Sequence, residues 1–325
     1  MRLSLDSTGA RVIGAILIAV LLFVLGSLLI PGYSSAFSIR AMLVLACLLA
    51  VACVGQTLTI ILGGIDLSIP FVIGFANVVA AQLYGDGMNF VLVCLIVGVL
   101  ALGIGALNGL ISAGLGLHPL IVTLGIGTII QGAVLVWTRG FPSGSAPEAV
   151  TKFVSIGGSV EIPGLGALPV PWLIPAFAIL SALIILVLNR TPYGRRLFAL
   201  GSNPKAAALA LIDPLRMWMA TYALSALFAA TAGVLLLGFT GSAYGDVGQP
   251  YLFQTIAAVV IGGTALVGGR GSFLGTVAGA VVLTEINTIL IGLGLQPSMV
   301  QAALGLVILV LVSLYGREAH VRNTV

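Results

Sequence analysis

Glu285 lies inside a long apolar run at residues 272–292. An ionisable group at membrane depth is costly and by default marks function. Three readings of it stand open. It is a pore-lining acceptor for substrate hydroxyls, a carboxylic acid bonded to a neighbouring helix, or a member of a proton relay. Uncharged polar side chains recur at similar depth in other apolar runs: Gln56, Asn77, Asn108, Thr123, Gln131, Gln254 and Asn287. Amides suit a neutral polyol, which needs donors and acceptors but no counter-ion. The competing reading is interhelical hydrogen bonding, on the order of 0.6 kcal/mol each. Gln56, Asn77, Gln131, Gln254, Glu285 and Asn287 are the pathway candidates, and Asn108, beside Gly109, reads as a packing residue. Asp66 and Asp246 stand at run ends, where a carboxylate caps a helix N-terminus. His118 precedes Pro119 at another run start and reads as interfacial.

Other chemistries find no constellation. Gly268-Gly269-Arg270-Gly271 lacks the Lys-Ser/Thr of a phosphate-binding loop. It reads instead as a sharp turn with Arg270 as an anchor. No Cys/His metal pattern, Ser-His arrangement or paired carboxylate falls at membrane depth. The chain is therefore expected to bind no cofactor and catalyse no reaction itself.

These residues must be positioned by membrane helices. Of 325 residues, 60% are hydrophobic and 7% charged, against about 25% charged in soluble domains. That excludes disorder, and three cysteines exclude a disulfide scaffold. The net charge of +4 carries no nucleic-acid signal. Runs of about 20 apolar residues fall at 12–30, 40–62, 69–84, 90–112, 118–137, 172–189, 218–239, 252–268, 272–292 and 297–315. The first is too long for a cleavable signal. The expected fold is an all-α polytopic membrane protein of about ten spans. Ten of the thirteen basic residues then share a side with both termini, and only Arg40, Arg139 and Lys152 face the other. The positive-inside rule makes the termini cytoplasmic.

The chain reads as one transmembrane domain over 1–325, with two long loops. Residues 138–171, rich in Gly, Pro and Ser, are expected outside as a lid with little regular structure. Residues 190–217 are expected inside and hold five of the thirteen basic residues. There Asn203-Pro204 reads as a cap and first helical position, opening a short helix over 204–212 that Asp213-Pro214 closes. Asp66-x-x-x-Pro70 and Asp246-x-x-x-Pro250 stand five spans apart, the pattern of a possible inverted 5+5 repeat. Glycines spaced by four, at 105 and 109 and at 271, 275 and 279, read as close helix contacts.

Four blocks in order, GGIDLSIP (63–70), LNGLISAGLGLHPLIVTLGIGTIIQG (107–132), TPYGRRLFALGSNPKAAALALID (191–213) and AAVVIGGTALVGGRGSFLGTVAGA (257–280), resemble the permease subunits of bacterial ABC importers for monosaccharides, of the ribose/xylose/galactose class. The resemblance runs from about residue 40 to 315 and implies a multi-pass protein of the bacterial inner membrane. It implies two permease chains, as a homodimer or with a sister permease, lining one pore for a simple sugar. It also implies a partner ATP-binding subunit, in two copies or as a fused double domain, that hydrolyses ATP, and a periplasmic sugar-binding protein. The helix near 203–213 then resembles a coupling helix. The ATPase-coupling candidates are Arg195, Arg196, Asn203, Pro204, Lys205, Ala207, Ala208 and Asp213. The chain departs from the family pattern at Pro70, at Ala210-Leu211-Ile212 and at Thr284–Thr288, which leaves the sugar open. Two alternatives stand beside this reading: a proton-coupled secondary transporter using Glu285 or Asp66, and the same machine importing a nucleoside or sugar-like signalling molecule.

Overall fold

A computed structural model describes residues 7–162 and 166–315. In chain order the helices are α1 (Ser7–Leu29), α2 (Ala36–Leu62), α3 (Ile69–Gly85), α4 (Phe90–Gly114), α5 (Pro119–Thr138) and α6 (Glu148–Val154). A two-stranded antiparallel hairpin, β1 (Val160–Ile162) and β2 (Gly166–Leu168), follows. The chain continues with α7 (Leu173–Arg190), α8 (Pro192–Ser202), α9 (Pro204–Leu209), α10 (Pro214–Thr240), α11 (Tyr251–Ile261), α12 (Phe273–Gly292) and α13 (Pro297–Tyr315). Among the described residues, seven helices are long and apolar enough to cross a membrane: α1, α2, α4, α5, α7, α10 and α12.

All ten apolar runs contain a helix, but they are not equal. The run at 252–268 yields only the eleven residues of α11, about 16 Å of rise against a hydrocarbon core of about 30 Å. It ends at Gly262, whose backbone lies against Gly275 of α12 with no room for a side chain. Gly263, Gly268 and Gly269 then take positive φ values of 87°, 88° and 70°, which glycine alone adopts without strain. The loops hold more regular structure than their composition suggests. The 138–171 segment contains α6 and the hairpin, and α6 lays Val150 against Gly238 at the end of α10. Lys152 meets Glu148 at 2.7 Å and holds its carboxyl below the usual range. In the 190–217 segment, α8 was not expected, and α9 ends at Leu209 because Leu211 turns left-handed (φ 57°).

The core is built on α2, α3, α10 and α12, while α1, α4, α5 and α7 turn wide apolar faces outward. Glycine sets how closely the central helices approach. A Cβ at Gly109 would meet Met219 Cα at 2.6 Å, and one at Gly55 would meet Ser225 Cα at 2.6 Å. Both contacts press neighbours onto α10.

The break between α2 and α3 is closed by polar contacts. Asp66, 2% exposed, does not face water at a span end. Its Oδ1 accepts from the Ser68 amide at 2.9 Å and from Ser68 Oγ at 2.5 Å. Its Oδ2 accepts from Ser225 Oγ at 2.6 Å. Asn108 Nδ2 donates to Ser68 Oγ at 2.9 Å, and the Leu67 amide donates to Thr123 Oγ1 at 3.0 Å. Asn108 and Thr123 thus bind a neighbouring turn. His118 caps α5, Nδ1 accepting from the Leu120 amide at 3.4 Å.

Replacing Gly105 tests the close α4–α10 contact. A Cβ there meets the Tyr222 carbonyl and, at 2.6 Å, Ala223 Cα, whereas Gly103 has nothing within 4 Å. Gly105→Ala is expected to destabilise by about 1–3 kcal/mol and Gly103→Ala to be neutral or slightly stabilising, read as thermal unfolding in detergent.

Candidate functional site

The site is built around residues 241–250, between α10 and α11. Gly241 ends α10 at φ 79°, and the chain then turns back along α3. The Ala146 amide donates to the Gly241 carbonyl at 3.2 Å, and the Ala243 amide to that of Gly144 at 3.3 Å. The Tyr244 amide donates to Asn77 Oδ1 at 2.9 Å, while Asn77 Nδ2 donates to the Gly233 carbonyl at 3.3 Å. Farther down, the Gly245 carbonyl occupies the space a side chain at Gly74 would need, and Gly248 lies against Pro70. From Asn77 to Pro70 the segment descends about 10 Å alongside α3. A 3₁₀ turn, Gly245–Gly248, forms at the bottom, and α11 starts there.

Cavities surround this re-entrant segment. One of about 180 Å³ is lined by Phe71, Phe75, Gln131, Tyr244, Asp246 and Gln249, among others. Gln131 Nε2 donates to Asp246 Oδ1 at 3.2 Å across it. A second, of about 290 Å³, is lined by Leu45, Leu49, Pro250, Tyr251, Gln254, Leu283, Thr284 and Asn287. A third, of about 470 Å³, shares Pro250, Gln254 and Asn287 and adds Gln249, Phe253 and Gln301. The last two adjoin along the first turn of α11. Their polar lining is four amides, a threonine and Tyr251, and no charged side chain lines either.

The structure therefore brings together Gln254 and Asn287, and places Gln131 in the neighbouring cavity. Asn77 lies behind the segment and fastens it. Glu285 is buried and lines none of the cavities described above. Two residues on a helix are 200° apart, so it stands nearly opposite Asn287. It shares a face with Gly292, which meets Ile30 at the end of α1. Its Oε2 is buried without a hydrogen-bond partner, as is the Tyr33 hydroxyl. Gln56 is fully buried in α2, with neither amide atom partnered. Gln249 and Gln301 were not singled out from the sequence. The only signal for Gln249 is its place before Pro250, and Gln301 follows Gln296 at the start of the last apolar run. Among the described residues, no group of three or more His, Cys, Asp or Glu could hold a metal.

A second surface lies at the basic end of the bundle. Asn203 caps α9, its Oδ1 accepting from the Ala206 amide at 3.1 Å, and Pro204 follows at the first position. Asp213 caps α10 through the Arg216 amide at 3.3 Å and pairs with Arg216 Nε at 3.0 Å. Arg195, Arg196, Lys205 and Ala208 are exposed, whereas Ala207 is 3% exposed and packs inward. Leu209 and Leu211 are 88% and 94% exposed. Beneath this tip, Ser202 Oγ donates to the Gly269 carbonyl at 3.3 Å, and the Gly269 amide donates to the Ile61 carbonyl at 2.8 Å.

Residues 38–312 match a family described as the permease component of branched-chain amino acid transport systems. The ribose import permease protein of Bacillus subtilis is 32% identical over 297 residues, covering 90% of this chain and 89% of that one. The fructose import permease protein of Rhizobium meliloti is 32% identical over 314 residues, covering 92% and 83%. An autoinducer 2 import system permease protein of Escherichia coli is 34% identical over 270 residues, covering 79% and 76%. With its apolar helices, re-entrant segment and match over most of its length, the chain belongs to this family of multi-pass transport-system permeases.

Proposed function

We propose that the chain forms the translocation pathway of an ABC importer for a neutral, hydroxyl-rich solute, a monosaccharide or a close relative of one. The carrying observation is the recess beside α11, where Gln249, Gln254, Asn287 and Gln301 converge and no charged side chain lines the wall. An amino acid would bring an ammonium and a carboxylate, both needing partners when desolvated. A sugar needs the donors and acceptors that amides supply. Relatives named for ribose, fructose and autoinducer 2 at 32–34% identity support a substrate of this class.

On this reading the chain has ten membrane segments in the inner membrane, with both termini and the α8–α9 surface cytoplasmic, as the distribution of basic residues favours. α3 and α11 correspond in the two inverted halves. The Asp-x-x-x-Pro pattern stands at the start of each, and Gly248, in the turn leading into α11, packs on Pro70 of α3. The exposed tip at Leu209 and Leu211 docks on a separate ATP-binding subunit, which supplies the energy, and this chain binds no ATP. A solute-binding protein delivers substrate from the other side, and a second permease copy completes the pore. The proton-coupled alternative is disfavoured because Glu285 lies away from the recess.

Two sets of variants test this, in proteoliposomes carrying the permease, its ATP-binding subunit and its binding protein, with tritiated D-ribose and D-fructose as probes. Gln254→Leu and Asn287→Leu are expected to cut uptake about five- to 150-fold, which 1–3 kcal/mol of lost hydrogen bonding converts to. Glu285→Gln and a protonophore should leave it within about twofold. Unchanged uptake in both recess variants, or collapse with the protonophore, refutes the reading. For the docking tip, Leu211→Asp and Ala208→Asp should abolish binding-protein-stimulated ATP hydrolysis while the permease still purifies normally. Ala207→Asp is expected to lower expression instead, because it buries an unpaired charge. Full stimulation in the Leu211 variant removes the docking role from this tip.

A further inference from the structure

Gln56 is the least satisfied polar side chain in the described core. It is fully buried, and neither Nε2 nor Oε1 has a hydrogen-bond partner. Its neighbours show that α2 can satisfy polar groups locally. Thr57 Oγ1 donates to the Cys53 carbonyl at 2.7 Å, and Thr59 Oγ1 reaches the Gln56 carbonyl at 3.1 Å. An amide is too long for that return bond. Leaving both of its ends unpaired is costly unless another state supplies partners.

Helical spacing shows which way Gln56 faces. Leu45 and Leu49 line the 290 Å³ cavity. Gln56 is seven residues beyond Leu49, within about 20° of the same direction and about 10 Å farther toward the basic end. Gly55, by contrast, meets Ser225 of α10. Between Leu49 and Gln56, α2 packs against α11 at Cys53. Tyr251 lines the cavity, and Thr255, one turn on, holds α11 against α2 where Cys53 Sγ approaches its carbonyl at 3.8 Å. α11 is short and has glycines beyond both ends, Gly248 before it and Gly262 and Gly263 after it.

We infer that Gln56 is a second hydroxyl-binding station, occupied when substrate has passed Tyr251 from the recess toward the basic end. The inference rests on the recess being the pathway. The carboxamide offers one acceptor and two donors, which match a vicinal diol. α11 is the partition between the stations, and its displacement from α2 joins them. In the state described here the partition is closed and Gln56 is unpaired.

The test pairs stability with transport in the full assembly. Gln56→Met keeps the volume and removes the unsatisfied amide. It is expected to raise the permease's unfolding temperature in detergent by about 2 °C or more, while uptake of tritiated D-ribose or D-fructose falls about tenfold. Gln56→Asn, shorter by one methylene, is expected to retain intermediate uptake. A residue that merely supports the fold behaves oppositely, with Met lowering the unfolding temperature. That result, or wild-type uptake in the Met variant, overturns the inference. If Gln254→Leu and Asn287→Leu impair uptake and Gln56→Met does not, only the second station fails. If none of the three impairs it, the recess itself is not the pathway.

Discussion

Backbone groups left unpaired in hydrocarbon cost several kcal/mol each, so non-helical chain survives at membrane depth only where protein holds it. The architecture follows from meeting that demand at three breaks. Between α2 and α3, Asp66, Ser68, Asn108, Thr123 and Ser225 bind the turn. Between α10 and α11, Asn77 and residues 144–146 hold the descending chain. Between α11 and α12, Gly269 donates to Ile61, and Ala265 donates to the Arg270 carbonyl at 3.0 Å. Glycine serves all three: Gly63 turns the chain at φ 97° after α2, Gly74 and Gly248 let the descending segment lie against α3, and Gly262 lies against Gly275. The α10–α11 break adjoins the recess, which Gln249 and Pro250 line together with residues of α2, α12 and α13.

Much of this was legible in the residues. Apolar runs located ten helical segments, because about 20 apolar residues in succession have few other fates. Asn203-Pro204 located the start of α9, since cap chemistry is local. Gly105 and Gly109 are the close contacts their spacing suggested. What stayed hidden depends on tertiary packing. The contact of Gly262, at the end of α11, with Gly275 thirteen positions away is one such case. Glu285 and Asn287 look equivalent as polar residues in one run, but which face of α12 meets the recess is set by its neighbours. α8 was obscured because its basic residues read as loop charge, while Leu197 and Leu200 supply the buried face that makes it a helix.

On the proposed reading, the uncharged lining of the recess has a physical reason. A fixed charge there would need a permanent partner in a low-dielectric surrounding and would resist substrate release. Amides hold a polyhydroxylated solute through several modest bonds, each readily exchanged with water. The nearest carboxylate, Asp246, lines the 180 Å³ cavity, where Gln131 engages it, and a further cavity of about 570 Å³ that shares Gln249 and Pro250 with the recess.

The same ties connect the two surfaces. The Ile61 carbonyl at the end of α2 accepts from Gly269, and Gly201 of α8 is pressed against it. Displacement of the α8–α9 tip therefore bears directly on α2, whose other half lines the recess through Leu45 and Leu49. It also bears on α10, whose start is fixed by Asp213 beside the tip and whose end leads into the re-entrant segment. α11 is attached to this frame at both ends but has too little length to span it. On the proposed reading, a relative shift of α2 and α10 is absorbed at α11, which is flanked by glycines. On the proposed reading, work done at the cytoplasmic tip is expressed as movement of the partition beside the recess.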